Sequence, residues 1–540
     1  MNQIKKLLNK KSKTIASGAI VIGIASCASR LLGMFRDRIL AGQFGAGDIL
    51  DIYYAAFRIP DLVFNLLILG ALSAGFIPVF TYYLKKKEGK NSEAWKLANS
   101  ILNITALGTI IICLILFAFS SLIVPLVVPG FKGEKLKATI VLTRIMLLSP
   151  IFLGLSNIIS GILNSFKRFF VYSLAPIMYN IGIIIGAVFF VKWWGISGLA
   201  LGVVLGAFLH LAIQIPTAVH LGYRWQATLD FLHPGIRQIG RLMIPRTLSL
   251  ATSQINFLAI TIIASTLTAG SLSVFNFANN LQSFPLGIFG ISFAIAAFPA
   301  LSEFAIEKKT KEFVRNLSET IRQILFFIIP SSVLLFVLRA QIVRVILGTG
   351  NFDWQDTVLT LECLGVFALS LFAQALIPLL SRAFFSYEDS KTPFLISLCS
   401  VIFNIITALI LAKILGIVGL VLAFSISSIL NMSLLAIFLR RKIGSVDEKR
   451  IILTAFKIGI ASVLAGISCY NMLYLIAPLV NMQTGFGVLI QGVTAGLGGI
   501  GVYLFFSWLL KIKELSVFWN ILKTRLPWKK ISVTEIVNNK

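Results

Sequence analysis

The sequence predicts an all-α polytopic membrane protein of about fourteen transmembrane helices, arranged as two six-helix lobes in parallel repeat with two extra C-terminal helices. Three observations carry that expectation. Hydrophobic residues fill 57% of the 540 positions and charged residues 13%, against roughly 45–50% and about 25% in soluble domains. Apolar runs recur from Thr14 to Leu510, and stretches such as Ile101 to Val128 or Ile451 to Val480 exceed the roughly 20 residues needed to cross a hydrocarbon core about 30 Å thick. Stretches of the first half also return in the second, two of them at the same offset.

Residues 1–13 form a basic N-terminus, with Lys5, Lys6, Lys10, Lys11 and Lys13 ahead of the first apolar run. That pattern mimics a secretory signal, but the run continues into Arg30-Leu-Leu-Gly-Met-Phe-Arg36 without a small-residue cleavage pattern, so it reads as a retained helix. Residues 14–223 hold helices one to six, the N-lobe, and residues 235–441 hold helices seven to twelve, the C-lobe. The duplication is visible in Gly70 to Pro78 against Gly290 to Pro299, and in Gly195-Ile-Ser-Gly-Leu against Gly416-Ile-Val-Gly-Leu. Pro78 and Pro299, like Gly195 and Gly416, are 221 positions apart. Six helices per lobe leave the repeats in the same orientation, a parallel pair that holds substrate between its halves. Helices thirteen and fourteen, within 451–510, fall outside the duplication. Residues 511–540 form a basic tail, with Arg525 to Lys530 expected on the anionic inner leaflet.

The formal net charge of +27 does not point to nucleic acid, because the basic residues sit in short clusters between apolar runs rather than on one face. Roughly thirty of them fall in alternate loops and the termini, against about seven in the intervening loops. Both termini are therefore expected to be cytoplasmic. Cys27, Cys113, Cys363, Cys399 and Cys469 each lie alone in apolar sequence and read as small buried hydrophobes. His210, His220 and His233 lack the spacing of a metal site.

Ionised groups inside a span cost about 2.5–3.5 kcal/mol each on insertion scales, so they are functional candidates by default. The densest set is Arg30, Arg36, Asp37, Arg38, Asp51, Arg58 and Asp61 in the first two helices. In a regular helix Arg30 and Asp37 fall within about 20° of one another, with Arg38 and Arg36 to either side. Such a polar face should point at a cavity. Arginine suits a diphosphate because its planar fork donates two hydrogen bonds and stays charged when partly desolvated. Two readings stay open for part of the set: Arg38 with Asp37, and Arg58 with Asp61, also read as interfacial ion pairs or helix-end anchors. Arg246, after Pro245 in helix seven, divides between a cavity role and snorkelling. Bends at Gly33, Pro60, Pro176, Pro245 and Pro285 serve either rocking lobes or plain helix packing.

The block Ser29-Arg-Leu-Leu-Gly-Met-Phe-Arg-Asp-Arg38, with Phe44-Gly-Ala-Gly47, Asp51 and Ala56-Phe-Arg-Ile-Pro-Asp61, resembles the MurJ (MviN) family of lipid II flippases. Gly161 to Arg168, Ser253-Gln-Ile255, Phe284-Pro-Leu-Gly287 and Lys391-Thr-Pro393 add to the likeness. The resemblance implies the multidrug/oligosaccharidyl-lipid/polysaccharide exporter fold, with a central cavity that alternately faces the two sides. It implies a non-enzymatic flippase that moves lipid II, an undecaprenyl-diphosphate-linked disaccharide pentapeptide, outward across the bacterial cytoplasmic membrane for cell-wall synthesis, as a monomer. Arg30, Arg36 and Asp51 match the family's functional polar positions, and helices thirteen and fourteen would form a groove for the polyprenyl tail. Asp37, Arg58 and Asn280 complete the expected substrate-binding set.

The sequence departs from the family pattern at identifiable places. Many members carry an Arg pair where this chain has Phe64-Asn65, and Asp-Arg where it has Asn279-Asn280. The second-lobe arginine is thus absent from its usual place, and Arg246 is expected to supply that charge. Helices seven and eleven hold no Asp or Glu over 236–266 and 393–415. No cofactor is expected; coupling would come from the membrane potential or from a monovalent cation, with Asn256 and Asn404 as its candidates.

Three other classes fit less well. A related exporter, for another polyprenyl-linked oligosaccharide or for drugs, would share the fold and the repeat, and a drug exporter would want carboxylates in its cavity for cationic cargo. A membrane glycosyltransferase needs Asp, Glu or His clusters in a sizeable loop, and the longest outward connection, about 338–355, offers only Asp353 beside Arg339 and Arg344. A scaffold would not need Arg30 and Arg36 within a span.

Overall fold

Helices account for the regular secondary structure of the computed structural model, which describes residues 15–69, 75–85 and 92–516. A few side chains within that range, Arg246 among them, also lie outside the description. Among the described residues ten helices are long and apolar enough to cross a membrane. One of these, Lys391–Ile443, runs for 53 residues but breaks at Gly416, where φ is 57° and ψ −135°. Glycine tolerates that conformation because it has no Cβ, so the run is two helices.

Three further helical segments complete the set: Ile15–Phe44, the broken run 48–69 with 75–85, and Pro234–Ser265. The spans in chain order are α1 (Ile15–Phe44), α2 (48–69 with 75–85), α3 (Glu93–Ala118), α4 (Gly133–Ser165), α5 (Phe169–Trp194), α6 (Ser197–His220) and α7 (Pro234–Ser265). They continue with α8 (Ser271–Ile306), α9 (Thr310–Val337), α10 (Trp354–Ser386), α11 (391–415), α12 (417–443), α13 (Glu448–Leu479) and α14 (Gly485–Leu509). The expected number of about fourteen is met.

The duplication read from the sequence recurs in the backbone. Gly195 and Gly416 share an unusual conformation, at φ 54°, ψ −142° and φ 57°, ψ −135°. Lys167 and Glu388, again 221 apart, both have φ 58°, and Gly222 and Gly444 have φ 96° and 84°. A wider π-helical turn begins at Phe64 in α2 and at Leu286 in α8. Proline lies just before each, at Pro60 and Pro285, and its missing N–H loosens the hydrogen-bond ladder there.

Two compact units emerge from the packing. The first takes the described residues of Met1–Phe284 with Val343–Phe367 and Ser390–Asn431. Its core includes Phe76, Phe80, Ile162 and Val171, with Trp95 and Phe166 packed against them. Here α5 and α6 meet through glycines: a Cβ on Gly186 would stand 2.4 Å from Gly202 Cα, and one on Gly182 2.3 Å from Gly206 Cα. Membrane helices associate by such close backbone approach because lipid supplies no hydrophobic drive between them.

The second unit takes the described residues of Pro285–Ile342, Ala368–Asp389 and Met432–Lys540. Within it α13 and α14 pack on each other and on α9, with Cys469, Leu473 and Ala495 buried and Leu334 and Val337 against them. Tyr503 donates to the Phe326 carbonyl at 2.6 Å, and buried Arg322 pairs with buried Glu514 just beyond α14.

Candidate substrate-binding site

The charged block of α1 folds into one connected polar cluster. Arg36 donates from Nε and Nη2 to Asp37 Oδ1 at 3.0 and 2.8 Å, and from Nη1 to Asn180 Oδ1 on α5 at 3.1 Å. Asn280 on α8 donates to the other carboxylate oxygen, Asp37 Oδ2, at 3.0 Å. Arg30, six residues earlier on α1, donates to the Ser283 carbonyl of α8 at 3.0 Å. The cluster therefore joins α5, α1 and α8 through Asn180, Arg36, Asp37 and Asn280 in that order.

Arg30, Arg36, Asp37, Asn180 and Asn280 line a cavity of about 210 Å³. A guanidinium has five N–H donors. Arg36 commits three to its protein partners and Arg30 one, which leaves donors on both for a ligand with several acceptor oxygens. Asp37 is 5% exposed; its pairing keeps a costly buried charge neutralised and fixes the Arg36 fork in one orientation.

The ion pairs considered as alternatives are not the ones formed. Asp37 pairs with Arg36 rather than Arg38, and Arg38 instead donates to the Val345 carbonyl. Arg58 makes no ion pair with Asp61 among the described residues: its Nη2 donates to Asn276 Oδ1 on α8 at 3.1 Å, and its guanidinium carbon lies 5.6 Å from the Phe257 ring centroid on α7. In both cases a partner distant in sequence displaces the near neighbour, because a long arginine reaches across to the packed helix.

Asp51 stands apart from the cavity. It is 2% exposed, and it accepts from Gly270 N at 2.8 Å, Ser273 N at 3.0 Å, Ser273 Oγ at 2.8 Å and Lys135 Nζ at 3.3 Å. Lys135 also reaches Asp48. Neighbouring links run the same way: Ala46 N donates to Asp356 Oδ2 at 2.8 Å, Asn351 N to the Gly42 carbonyl at 2.9 Å, and Gly130 N to Ser265 Oγ at 3.3 Å. The connections after α1, α3, α7 and α9 are thereby clasped at one end of the unit.

Arg246 lies on α7 with its side chain outside the described residues. Asn256 and Asn404 meet directly, Asn404 Nδ2 donating to Asn256 Oδ1 at 2.6 Å. Sequence reasoning missed Asn180. Its only local signal is the position four residues after Pro176, whose carbonyl accepts from its amide at 3.1 Å.

Comparison with known proteins bears on this arrangement. A family model described as Lipid II flippase MurJ matches residues 40–489. The Buchnera aphidicola subsp. Acyrthosiphon pisum protein named Probable lipid II flippase MurJ is 29% identical over 512 residues, covering 93% of this chain and 98% of that protein. Among solved structures, Lipid II flippase MurJ in an inward closed conformation superposes with a TM-score of 0.73 at 27% identity, covering 93% of this chain and 99% of the other. An inward-facing MATE family multidrug resistance transporter of the MOP superfamily shares the fold, with a TM-score of 0.67 at 16% identity over 78% of this chain and 96% of its own.

Proposed function

Because the chain belongs to the lipid II flippase MurJ family, we propose that it carries lipid II from the inner to the outer leaflet by alternating access, in cell-wall synthesis. It is a multi-pass membrane transporter rather than a catalyst. The observation that carries the reading at residue level is the pair Arg30 and Arg36 on one cavity wall with donors to spare. A diphosphate is the part of lipid II that can use them.

The roles divide by geometry. Arg36 and Arg30 grip the diphosphate, and Asp37 and Asn180 hold Arg36 ready for it. Asn280 reads the occupancy of the site from α8, since a phosphate that competes for Arg36 loosens the carboxylate that Asn280 holds. Asp51 acts at the clasped end, which faces outward if both termini are cytoplasmic, and Arg58 braces α2 against α8. Arg246 supplies a second-lobe charge in place of the family's arginine at Asn280. The lobes are 14–223 and 235–441; α13 and α14 guide the polyprenyl tail, and the basic tail, of which 517–540 lie outside the described residues, is assigned to the inner leaflet. The monomer is the working unit. Membrane potential drives the cycle, with a monovalent cation at Asn256 and Asn404 as the other source of coupling.

The test uses cells depleted of their own lipid II flippase and expressing this chain. Lipid II should become cleavable by an enzyme added outside, and Arg36→Ala should lower that cleavage by about tenfold to a hundredfold. Failure of well-inserted protein to restore cleavage would assign the chain to another lipid-linked sugar.

A further inference from the structure

A second cavity, of about 420 Å³, lies beside the diphosphate site and is walled by α1, α4, α5 and α6. Its lining is polar without being ionic: Ser26, Asn157, Ser160, Tyr172, Ser173 and His210, with Arg30 at the margin it shares with the smaller cavity. Polar side chains inside a membrane protein are costly unless they face water, a ligand or one another. Part of this wall is bonded internally. Gln214 Nε2 donates to Ser156 Oγ at 2.7 Å, Ser160 Oγ donates to Gln214 Oε1 at 2.8 Å, and His210 Nδ1 lies 2.7 Å from Ser156 Oγ.

That network orders the floor before anything binds. It commits His210 Nδ1 and the Ser160 proton, so His210 Nε2, the Ser160 lone pairs, the Asn157 amide and the Tyr172 hydroxyl are what the wall offers to an occupant. These are the partners of hydroxyl and acetamido groups. They are poor partners for a carboxylate or ammonium, which is best held by a countercharge, and among the described residues Arg30 is the one ionised group on the lining.

We propose that this cavity is the subsite for the neutral sugar bonded to the diphosphate, and that the charged stem peptide lies elsewhere. The proposal rests on the lipid II reading and deepens it. Connectivity supports it: the first sugar is one glycosyl bond from the second phosphate, so its subsite must adjoin the arginines, and Arg30 lines both cavities.

The experiment measures binding to the full chain in lipid nanodiscs of three probes: undecaprenyl diphosphate, the same lipid carrying the disaccharide with its peptide-bearing carboxyl capped as a neutral amide, and complete lipid II. Asn157→Leu and Tyr172→Phe are compared with the native protein and with Arg36→Ala. Each should weaken both sugar-bearing probes about fivefold to thirtyfold, the loss of one or two hydrogen bonds, and leave undecaprenyl diphosphate unchanged. Unchanged binding of that probe also certifies the fold of each variant. Arg36→Ala should weaken all three.

Equal loss on all three probes in the Asn157 and Tyr172 variants would make their role structural and overturn the subsite. No loss on any probe would leave the cavity to water, and loss confined to complete lipid II would assign it to the peptide. Native protein that binds undecaprenyl diphosphate but gains nothing from the sugar would sink the subsite while sparing the flippase reading. Native protein that binds none of the three would sink both.

Discussion

Asp51 accepts both the backbone N–H and the hydroxyl of Ser273, at 3.0 and 2.8 Å, across 222 positions of sequence. With the bond from Gly270 N at 2.8 Å, one carboxylate satisfies two of the backbone N–H groups at the start of α8. A helix start carries unpaired donors and a partial positive charge, so an ionised carboxylate there is favoured twice over. The bond exists only while the α1–α2 and α7–α8 ends are together, which makes it a clasp rather than a scaffold contact.

Asp51→Asn removes the charge and keeps the size. Hydrogen bonds to charged groups are worth about 1.5–3 kcal/mol, so the clasped state should lose roughly tenfold or more in population. A cysteine placed at Ala46 should then be labelled from outside faster than in the parent, and transport should fall. Labelling that does not change would show that the neighbouring links at Asn351 and Asp356 suffice alone.

Arg36 should tolerate neither alanine nor lysine. Lysine keeps the charge but cannot hold Asp37 and Asn180 together while presenting a fork to phosphate. Both substitutions should lower lipid II export by about tenfold to a hundredfold, the cost of one or two charge-assisted bonds. Asn180→Leu should give a smaller loss, about fivefold, because it frees the fork without removing it. Export measured at saturating and at limiting lipid II separates the two: the Asn180 variant should recover at high substrate.

The helices and the arginine block were legible in the sequence because charge inside an apolar run is expensive wherever it sits, and Arg30, Arg36 and Asp37 stand out on that ground alone. The duplication was legible too, since Gly195 and Gly416 need the same rare backbone angles. Partner choice was not. Arg38 finds a carbonyl 307 positions away and Arg58 an asparagine 218 away, and no periodicity encodes such meetings. Asn180 escaped notice because an amide in a membrane helix is unremarkable until the arginine it holds is known.

Arg322 and Glu514, 4% and 6% exposed, tie α9 to the segment just beyond α14. Removing one partner of a buried pair strands a charge, at a cost of roughly 3–5 kcal/mol, whereas replacing both by apolar residues is often neutral. Glu514→Leu should lower the thermal unfolding temperature in detergent, and the double change with Arg322→Leu should restore most of it. A double variant no better than the single one would mean that the pair orders the chain by geometry rather than by cancelling charge.

Arg246 and Arg36 are assigned the same cargo from different lobes, so their losses should resemble one another. Arg246→Ala should cut export at least tenfold and should weaken undecaprenyl diphosphate in direct binding. Normal transport by Arg246→Ala beside failure of Arg36→Ala would remove Arg246 from the site and leave the second lobe to neutral amides such as Asn280.

The remaining prediction follows from the sum of charges in the cavity. Arg30, Arg36 and Asp37 give the empty site a net charge of about +1, the proposed Arg246 raises it to about +2, and a bound diphosphate brings the sum to about zero. A potential negative inside therefore favours the empty half of the cycle, drawing the empty site inward, and leaves the loaded half nearly indifferent. One charge crossing the whole field gains about 2.3 kcal/mol per 100 mV; a third of the field gives about fourfold in rate. Proteoliposomes with an imposed potassium diffusion potential should show that acceleration at −100 mV and its reversal at +100 mV. Arg30→Gln should weaken the dependence of the empty return step, since it removes one of the two net charges. A native rate indifferent to potential would move the driving force to a cation, and Asn256→Ala would then be the variant to test against a sodium gradient.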